Sequence, residues 1–304
     1  MPTFPDPQDN AAQIAYWNDR AAVTWTASQE RLDALFEPLT ALALDAAAPV
    51  SGEHVIDIGC GCGATVLALA DRIGPAGQVL GLDISEPMSS RARERIAAAG
   101  LTNARVVVSD AAVHAFPRDG ADLLFSRFGV MFFADPVAAF ANLHKAMRSG
   151  GRLLCAVWRP LADNSWFRVP LEAASAMLPP QPPADPEAPG PFAFADQDRT
   201  RGIFEKAGWH DVTLTRYDVP MRVAATGQID QAAEFATRVG ALARILADEG
   251  PESSARVRLA VAEALRPYDS PAGINLSGSI WLISARASNP APDVAGGPAP
   301  AMTA

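Results

Sequence analysis

Cysteine is scarce in this sequence, and lysine is nearly absent. There are three cysteines in 304 residues, and an odd count argues against the disulfide framework of a small secreted domain. Cys60 and Cys62 are one residue apart with no histidine beside them, which is a poor match to a zinc site, so no metal is expected. Lys and Arg total 25 against 34 Asp and Glu, a net charge of −9. An acidic chain without a basic stripe disfavours a nucleic-acid partner.

Long hydrophobic runs are also missing. A membrane-spanning helix needs about 18 to 20 consecutive apolar residues, and no stretch approaches that length. The first residues, MPTFPDPQDN, contain neither a basic patch nor an apolar run, so no secretory signal peptide is predicted. Cytoplasmic residence is therefore the expectation. The sequence leaves the oligomeric state open, with a homodimer as one candidate assembly.

The sequence does contain short apolar runs that alternate with helical patterns. The runs predict strands over 54–58, 78–82, 105–108, 121–125 and 152–157. The patterns between them predict helices over 64–73, 86–99 and 136–147. Strands this apolar are typical of a parallel sheet buried on both faces, and strand–helix alternation predicts a doubly wound α/β fold.

A glycine cluster follows the first predicted strand directly and opens the first helix. Residues 55–63 read VIDIGCGCG. Glycines at 59, 61 and 63 let the backbone turn sharply and approach a ligand closely. The helix start behind them offers free N–H groups to a carboxylate. Asp57, at the end of the strand, can accept hydrogen bonds from a ligand ammonium, directly or through water.

Two further acids stand at the ends of the next two predicted strands. Asp83 can accept both ribose hydroxyls of an adenosine, because strand ends are neighbours at the carboxyl edge of a sheet. Asp110, in VVVSDAA, can reach an adenine amino group. The structural alternatives are a helix N-cap for Asp83 and a turn residue for Asp110.

These residues give the chain its resemblance to the class I S-adenosylmethionine-dependent methyltransferases, in particular to small-molecule enzymes such as the ubiquinone and menaquinone methyltransferases. DIGCGCG is similar to the first motif of that family, and GLDIS resembles its ribose-binding strand end. DLLFSRFGVMFFADP and MRSGGRLLCAVW are similar to its fourth and fifth strands. The resemblance implies a seven-stranded, mostly parallel, Rossmann-like sheet with an antiparallel last strand. It also implies S-adenosyl-L-methionine as cofactor and S-adenosyl-L-homocysteine as product.

The predicted site follows from that resemblance. The cofactor-binding residues are Asp57, Gly59, Cys60, Gly61, Gly63, Asp83, Ile84, Met88, Asp110, Ala111, Ser126 and Arg127. The acceptor-binding residues are Phe128, Met131, Phe132 and Trp166, with Phe133 and Phe167 beside them. No catalytic residue is assigned, and Arg127, His114 and Tyr16 are the candidates. Arg127 could orient an anionic substrate or the methionine carboxylate, or form a structural ion pair.

The predicted organisation has four parts. Residues 1–48 form an N-terminal helical cap kinked at Pro38, and residues 49–160 form the cofactor-binding core. Residues 161–286 contain lid insertions and the last helices and strands of the core, and 287–304 a disordered tail. Segments 11–48, 160–195 and 228–266 are expected to cover the carboxyl edge, with proline-rich 179–191 as a mobile lid or its hinge.

The predicted function is methyl transfer to a small, largely apolar or aromatic acceptor, on oxygen, with nitrogen and carbon as alternatives. Three other functions stay open: methylation of a peptide or protein, a non-catalytic cofactor-binding module, and a nicotinamide dehydrogenase. The dehydrogenase alternative arises because Gly59-x-Gly61-x-x-Ala64 satisfies a relaxed dinucleotide fingerprint. Asp57 before the first glycine and the lack of a Tyr-x-x-x-Lys pattern count against it.

Overall fold

A mixed sheet forms the centre of the molecule in a computed structural model that describes residues 10–178, 185–247 and 249–287. Its strands are β1 (His54–Ile58), β2 (Gln78–Asp83), β3 (Ala104–Val108), β4 (Ala121–Arg127), β5 (Met147–Trp158), β6 (Trp209–Ala224), β7 (Asp269–Ser270) and β8 (Gly273–Ala287). The helices are α1 (Ala11–Asn18), α2 (Arg20–Ala27), α3 (Gln29–Ala47), α4 (Ala64–Ile73), α5 (Glu86–Ala98), α6 (Pro136–Ala146), α7 (Ser165–Ser175), α8 (Gln197–Lys206), α9 (Ile229–Arg238), α10 (Ala241–Leu246) and α11 (Pro251–Leu265).

The strand order is β3-β2-β1-β4-β5-β8-β6, with the two-residue β7 pairing only onto β8. Strands β1 to β5 pair in parallel, while β8 runs antiparallel to both β5 and β6. The predicted doubly wound, seven-stranded, mostly parallel sheet is confirmed, and so is its antiparallel last strand. The order reverses between β1 and β4, and in such sheets the crevice beside that reversal is where ligands bind.

The central strands are the most buried, which fits their continuous apolar sequence. Residues 121–126 of β4 are all buried, and Asp57 is the one charged residue of β1 that is wholly enclosed. Two helix starts are fixed by side-chain caps. Ser85 Oγ accepts from the Met88 N–H, and Asp135 Oδ1 accepts from the Ala138 N–H. The Ser85 cap follows the end of β2 by two residues, so the chain turns there from strand to helix directly at the carboxyl edge of the sheet.

The N-terminal helical region differs from the prediction in where it breaks. The chain leaves helical geometry at Asp19 and around Ser28, whereas α3 continues through Pro38. Buried Leu35 and Leu39 on either side of the proline pack into the core. Tertiary packing of this kind stabilises a helix through a residue that disfavours it locally.

Two later segments are also longer or more divided than their sequence patterns predict. Those patterns predict one or two helices over 228–266 and a strand over 212–219. Residues 228–266 contain three helices, α9 to α11. Strand β6 extends over Trp209–Ala224 and passes through Pro220, which is tolerated because β6 is an edge strand and one N–H side needs no partner. Residues 179–184 of the proline-rich loop and residues 288–304 of the predicted tail lie outside the described residues.

Candidate active site

A cavity of about 390 Å³ lies at the carboxyl ends of β1, β2, β3 and β4. Each strand end contributes to its wall: Ile58 and Gly59, Leu82 and Asp83, Ser109 and Asp110, Arg127 and Phe128. Much of the remaining wall comes from outside the core, with Tyr16 on α1, Trp25 on α2, Phe36 on α3, Trp166 on α7 and Arg244 on α10. Parts of all three predicted covering segments therefore face the cavity.

The glycine cluster turns beneath this cavity with backbone that other residues rarely adopt. Gly59, Gly61 and Gly63 have φ values of +67°, +53° and +83°. A Cβ on Gly59 would lie 2.4 Å from the Cα of Gly129, in the turn after β4. The first glycine thus allows two loops to cross at contact distance. Gly129 was missed from sequence, although it is the one glycine in the run SRFGVMFF.

Asp83 faces the cavity with its carboxylate held by the backbone. Its Oδ2 accepts from the Gly61 N–H at 2.7 Å, and its Oδ1 accepts from the Ser85 N–H at 2.9 Å. Burial raises the pKa of Asp83, and these backbone donors oppose the rise. A carboxylate has about four lone-pair sites, so the orientation fixed by two donors leaves sites for ligand hydroxyls.

Asp57 lies behind the cavity wall, and its side chain is wholly buried. Its Oδ2 accepts a 2.5 Å hydrogen bond from the Thr65 hydroxyl, while Oδ1 has no hydrogen-bond partner. Burial raises the pKa of Asp57 to about 7, with the Thr65 hydrogen bond and the Arg127 charge opposing and Asp83 adding to the rise. An unpaired carboxyl oxygen in this position is costly unless a donor reaches it. Its role as acceptor for a ligand ammonium stays a prediction.

Arg127 brings a positive charge to the same cavity. Its Nη1 donates to the neutral hydroxyl of Thr40 at 2.5 Å, Nε has no hydrogen-bond partner, and the guanidinium carbon lies 5.4 Å from the Phe36 ring centre. Burial lowers its pKa, and the charges of Asp33 and Asp57 oppose that change. Arg127 and Asp57 are thus electrostatically coupled across the β1–β4 crevice.

Aromatic rings form much of the opposite wall. They make a contact chain in which successive ring centres are 4.1 to 6.4 Å apart: Tyr16, Trp17, Trp25, Phe36, Phe128, Trp158 and Phe167. Phe128 and Trp158 stack at 4.1 Å with planes 7° apart. Phe128 also has a left-handed backbone, φ +66°, which is uncommon for a bulky residue and is found at constrained functional positions. The wall is therefore apolar and shaped by flat groups.

Most residues predicted for the site line the cavity, and several do not. Those that line it are Tyr16, Gly59, Cys60, Gly61, Asp83, Ile84, Met88, Asp110, Ala111, Arg127, Phe128, Met131, Phe132, Phe133, Trp166 and Phe167. Gly63 packs against Ala92 instead, and Ser126 Oγ donates to the Ile58 carbonyl, which ties β4 to β1. His114 is hydrogen-bonded to Ser109 Oγ at 2.9 Å and stands outside the lining residues.

Sequence reasoning missed several cavity residues. They are Asn10, Trp25, Gln29, Asp33, Phe36, Trp158 and Arg244. All except Asn10 and Trp158 lie on helices outside the strand–helix core, where a pattern shows that a helix forms but not which face meets the cavity. Within the described part of the chain, no cluster of three or more His, Cys, Asp or Glu side chains could hold a metal ion. None of the described helices is long and apolar enough to cross a bilayer.

The strand order and the glycine turn at the end of β1 define a Rossmann-like methyltransferase fold. Residues 55–151 match a family model described as a methyltransferase domain. The protein therefore carries a class I S-adenosylmethionine-dependent methyltransferase domain, which confirms the resemblance seen in the sequence. The nicotinamide dehydrogenase alternative gains no support from this match.

Part of this chain is similar in sequence to several curated methyltransferases. Aklanonic acid methyltransferase of Streptomyces sp. is 37% identical over 118 residues, which cover 39% of this chain and 54% of that protein. Nocamycin O-methyltransferase of Saccharothrix syringae is 32% identical over 47% of this chain and 51% of that protein. A demethylmenaquinone methyltransferase of Shouchella clausii is 27% identical over 55% of this chain and 74% of that protein. The chain spans about half the length of the first two of these relatives.

Solved structures share the fold at low identity. The YcgJ protein of Bacillus subtilis superposes with a TM-score of 0.56 at 16% identity, covering 84% of this chain and all of that one. A phosphoethanolamine N-methyltransferase of Haemonchus contortus superposes with a TM-score of 0.55 at 16% identity, covering 95% of this chain and 62% of that one. The [4+2]-cyclase SpnF superposes with a TM-score of 0.52 at 17% identity, covering 83% of this chain and 81% of that one. The fold alone thus does not fix the reaction.

Proposed function

We propose that this protein transfers a methyl group from S-adenosylmethionine to a small, largely apolar or aromatic acceptor, on an oxygen atom. The observation that carries the proposal is one cavity with two different walls. Asp83, Asp110 and the glycine turn form the polar wall, and the stacked rings of Phe128 and Trp158 belong to the apolar wall. Small ligands are usually held in this way, by apolar surface with a few polar anchors.

The residues present fit the proposed cofactor. The Asp83 carboxylate is oriented by Gly61 and Ser85 with lone pairs left over for ribose hydroxyls. The unpartnered Oδ1 of Asp57 is suited to a ligand ammonium, and the Arg127 guanidinium is suited to a carboxylate. Together the last two complement the opposite charges of an amino-acid group.

When bound, S-adenosylmethionine supplies a methyl group on a positively charged sulfur, which is already electrophilic. The chain then has to orient the acceptor, exclude water and hold the two reactants in line, and such positioning can supply much of the acceleration. The aromatic wall is suited to that task because flat rings stack on it. A general base is needed only where the acceptor is protonated at the working pH.

The relatives support the acceptor class. The names of the relatives refer to aklanonic acid, to an O-methyltransferase and to demethylmenaquinone. A peptide acceptor and a non-catalytic cofactor-binding module remain the other functions to be tested. Cytoplasmic residence and a homodimer stay predictions.

Methyl-transfer assays test the proposal. We expect release of S-adenosylhomocysteine with phenolic or quinol-like compounds, and a methyl ether as the product identified by mass spectrometry. Phe128→Ala should raise KM for such acceptors while leaving the affinity for S-adenosylhomocysteine within about twofold. Turnover on peptides or RNA with none on any small molecule would contradict the acceptor class. Cofactor binding without any turnover would favour the non-catalytic module.

A further inference from the structure

Asn10, the residue immediately before α1, has a buried side chain with an unsatisfied oxygen. The backbone carbonyl of Asn10 accepts from the Ile14 N–H at 3.0 Å and so starts the helix. Its side chain makes no capping hydrogen bond. The residue is 7% exposed, and its Oδ1 has no hydrogen-bond partner. A buried amide oxygen without a donor costs free energy, so a ligand that supplies a donor would be stabilised there.

Two cavities place Asn10 beside the loop that follows β3. Asn10 lines the main cavity together with Ser109, Asp110 and Ala111. It also lines a second cavity of about 180 Å³, which it shares with residues 112–113. The Asn10 side chain is therefore near the strand end that is proposed to reach the adenine. Asp83, proposed for the ribose, belongs to the neighbouring strand end.

Only one group of an adenine can donate a hydrogen bond to Asn10 Oδ1. An adenine joined to ribose carries N–H hydrogens only on its 6-amino group, since its ring nitrogens outside the glycosidic bond are all acceptors. Resting on the proposed cofactor, we infer that Asn10 Oδ1 accepts a hydrogen bond from the 6-amino group of its adenine. The amino group has two hydrogens, so Asp110 can accept the other. Asp110 Oδ1 already accepts from the Ala112 N–H at 2.9 Å, which leaves Oδ2 for that role.

A double-mutant cycle tests this contact directly. Wild type and Asn10→Ala are titrated by calorimetry with S-adenosylhomocysteine and with its purine analogue that lacks the 6-amino group. We expect Asn10→Ala to weaken S-adenosylhomocysteine binding by about three- to tenfold, as for a neutral hydrogen bond. Removal of the amino group should then cost the variant less affinity than it costs wild type, by a similar factor.

Two further variants keep the test decisive. Asn10→Ser retains a residue that starts helices well but is too short to reach the base, so it should behave as Asn10→Ala does. Gln13→Ala removes another amide whose oxygen is buried without a partner, but Gln13 does not line the cavity, so affinity should be unchanged.

Each remaining outcome contradicts a separate claim. An equal penalty for the analogue in wild type and in both Asn10 variants would overturn the contact, because a purely structural role lowers both affinities alike. A wild-type protein that binds neither ligand would overturn the proposed cofactor itself.

Discussion

The side chain of Asn18 joins α1 to the backbone of Ile84, in the turn that follows Asp83. Its amide nitrogen donates to the Ile84 carbonyl at 2.9 Å, and its amide oxygen accepts from the Glu86 N–H, also at 2.9 Å. These two bonds bracket Ser85, whose N–H is one of the donors that orient Asp83. The N-terminal cap therefore braces the turn that holds the proposed ribose-binding carboxylate.

Asn18→Ala should weaken S-adenosylhomocysteine binding by about two- to tenfold, because two hydrogen bonds at an exposed site contribute modestly. Calorimetry checks the affinity. Asp19→Ala serves as the matched control, since Asp19 makes no side-chain capping hydrogen bond. Equal affinities for wild type and Asn18→Ala would show that the turn holds its shape without the brace.

The burial of Asp57 predicts a pH dependence of cofactor binding. Its folded-state pKa of about 7 is above the ordinary value of 3.8, so the carboxyl is protonated below pH 7 and ionised above. In the ligand-free protein, the folded state holds this proton more tightly than the unfolded state does. The contribution of Asp57 to the free energy of unfolding therefore falls as the pH rises from about 4 through 7. A ligand ammonium favours the ionised form, so affinity should rise with pH up to about 7, by at most roughly tenfold per unit.

Calorimetry in buffers of different ionisation enthalpy measures the linked protons. Wild type should release protons on binding S-adenosylhomocysteine at pH 6 and far fewer at pH 8. Asp57→Asn should lose most of the release at pH 6. Any remainder is expected from Asp83, whose pKa burial also raises. If Asp57→Asn released as many protons as wild type on binding, the linked proton would belong to a group other than Asp57.

The crossing of Gly59 and Gly129 predicts a stability effect. A Cβ on Gly129 would lie 2.4 Å from the Ile58 carbonyl oxygen, so Gly129→Ala should force the two loops apart and lower Tm and cofactor affinity together. Gly202→Ala is the matched control, because nothing lies within 4 Å of a Cβ there and alanine favours the helix by about 1 kcal/mol. Thermal unfolding should shift in opposite directions for the two variants.

Arg127 should recognise the amino-acid carboxylate of the cofactor, since it is coupled to Asp57 across the crevice. Arg127→Gln is expected to weaken S-adenosylhomocysteine binding tenfold or more, the scale of a charge-assisted hydrogen bond of about 1.5–3 kcal/mol. Binding of 5′-methylthioadenosine, which lacks the amino-acid group, should change little. Equal losses for both ligands would indicate that Arg127 only supports the cavity wall.

The core elements were predictable because their ends carry local signals. Helix α4 begins and ends at the predicted residues, since Gly63 and Gly74 flank it with positive φ angles that favour glycine. The breaks in the N-terminal region carry a weaker signal. Asp19 and Ser28 are residue types that favour helix N-caps, but neither makes a side-chain capping hydrogen bond. Pro38, the one strong helix breaker, lies inside a helix that packing maintains.

The candidate site likewise contains residues that the sequence could predict and residues that it could not. Asp83 and Asp110 were predictable because a strand end fixes where a side chain stands. Trp158 and Phe36 were not, since their place in the cavity depends on how β5 and α3 pack together. The crossing of Gly59 with Gly129 likewise joins residues 70 positions apart that no local pattern connects.

The central claim is that the cavity binds S-adenosylmethionine through Asp83, and calorimetric titration with S-adenosylhomocysteine tests it most directly. Wild type should bind this ligand and not NAD. Asp83→Ala should lose tenfold or more in affinity, because two hydrogen bonds to a charged acceptor disappear. Asp198→Ala, an exposed acid on α8, should bind as wild type does. Binding of NAD but not of S-adenosylhomocysteine, or undiminished affinity in Asp83→Ala, would contradict the account.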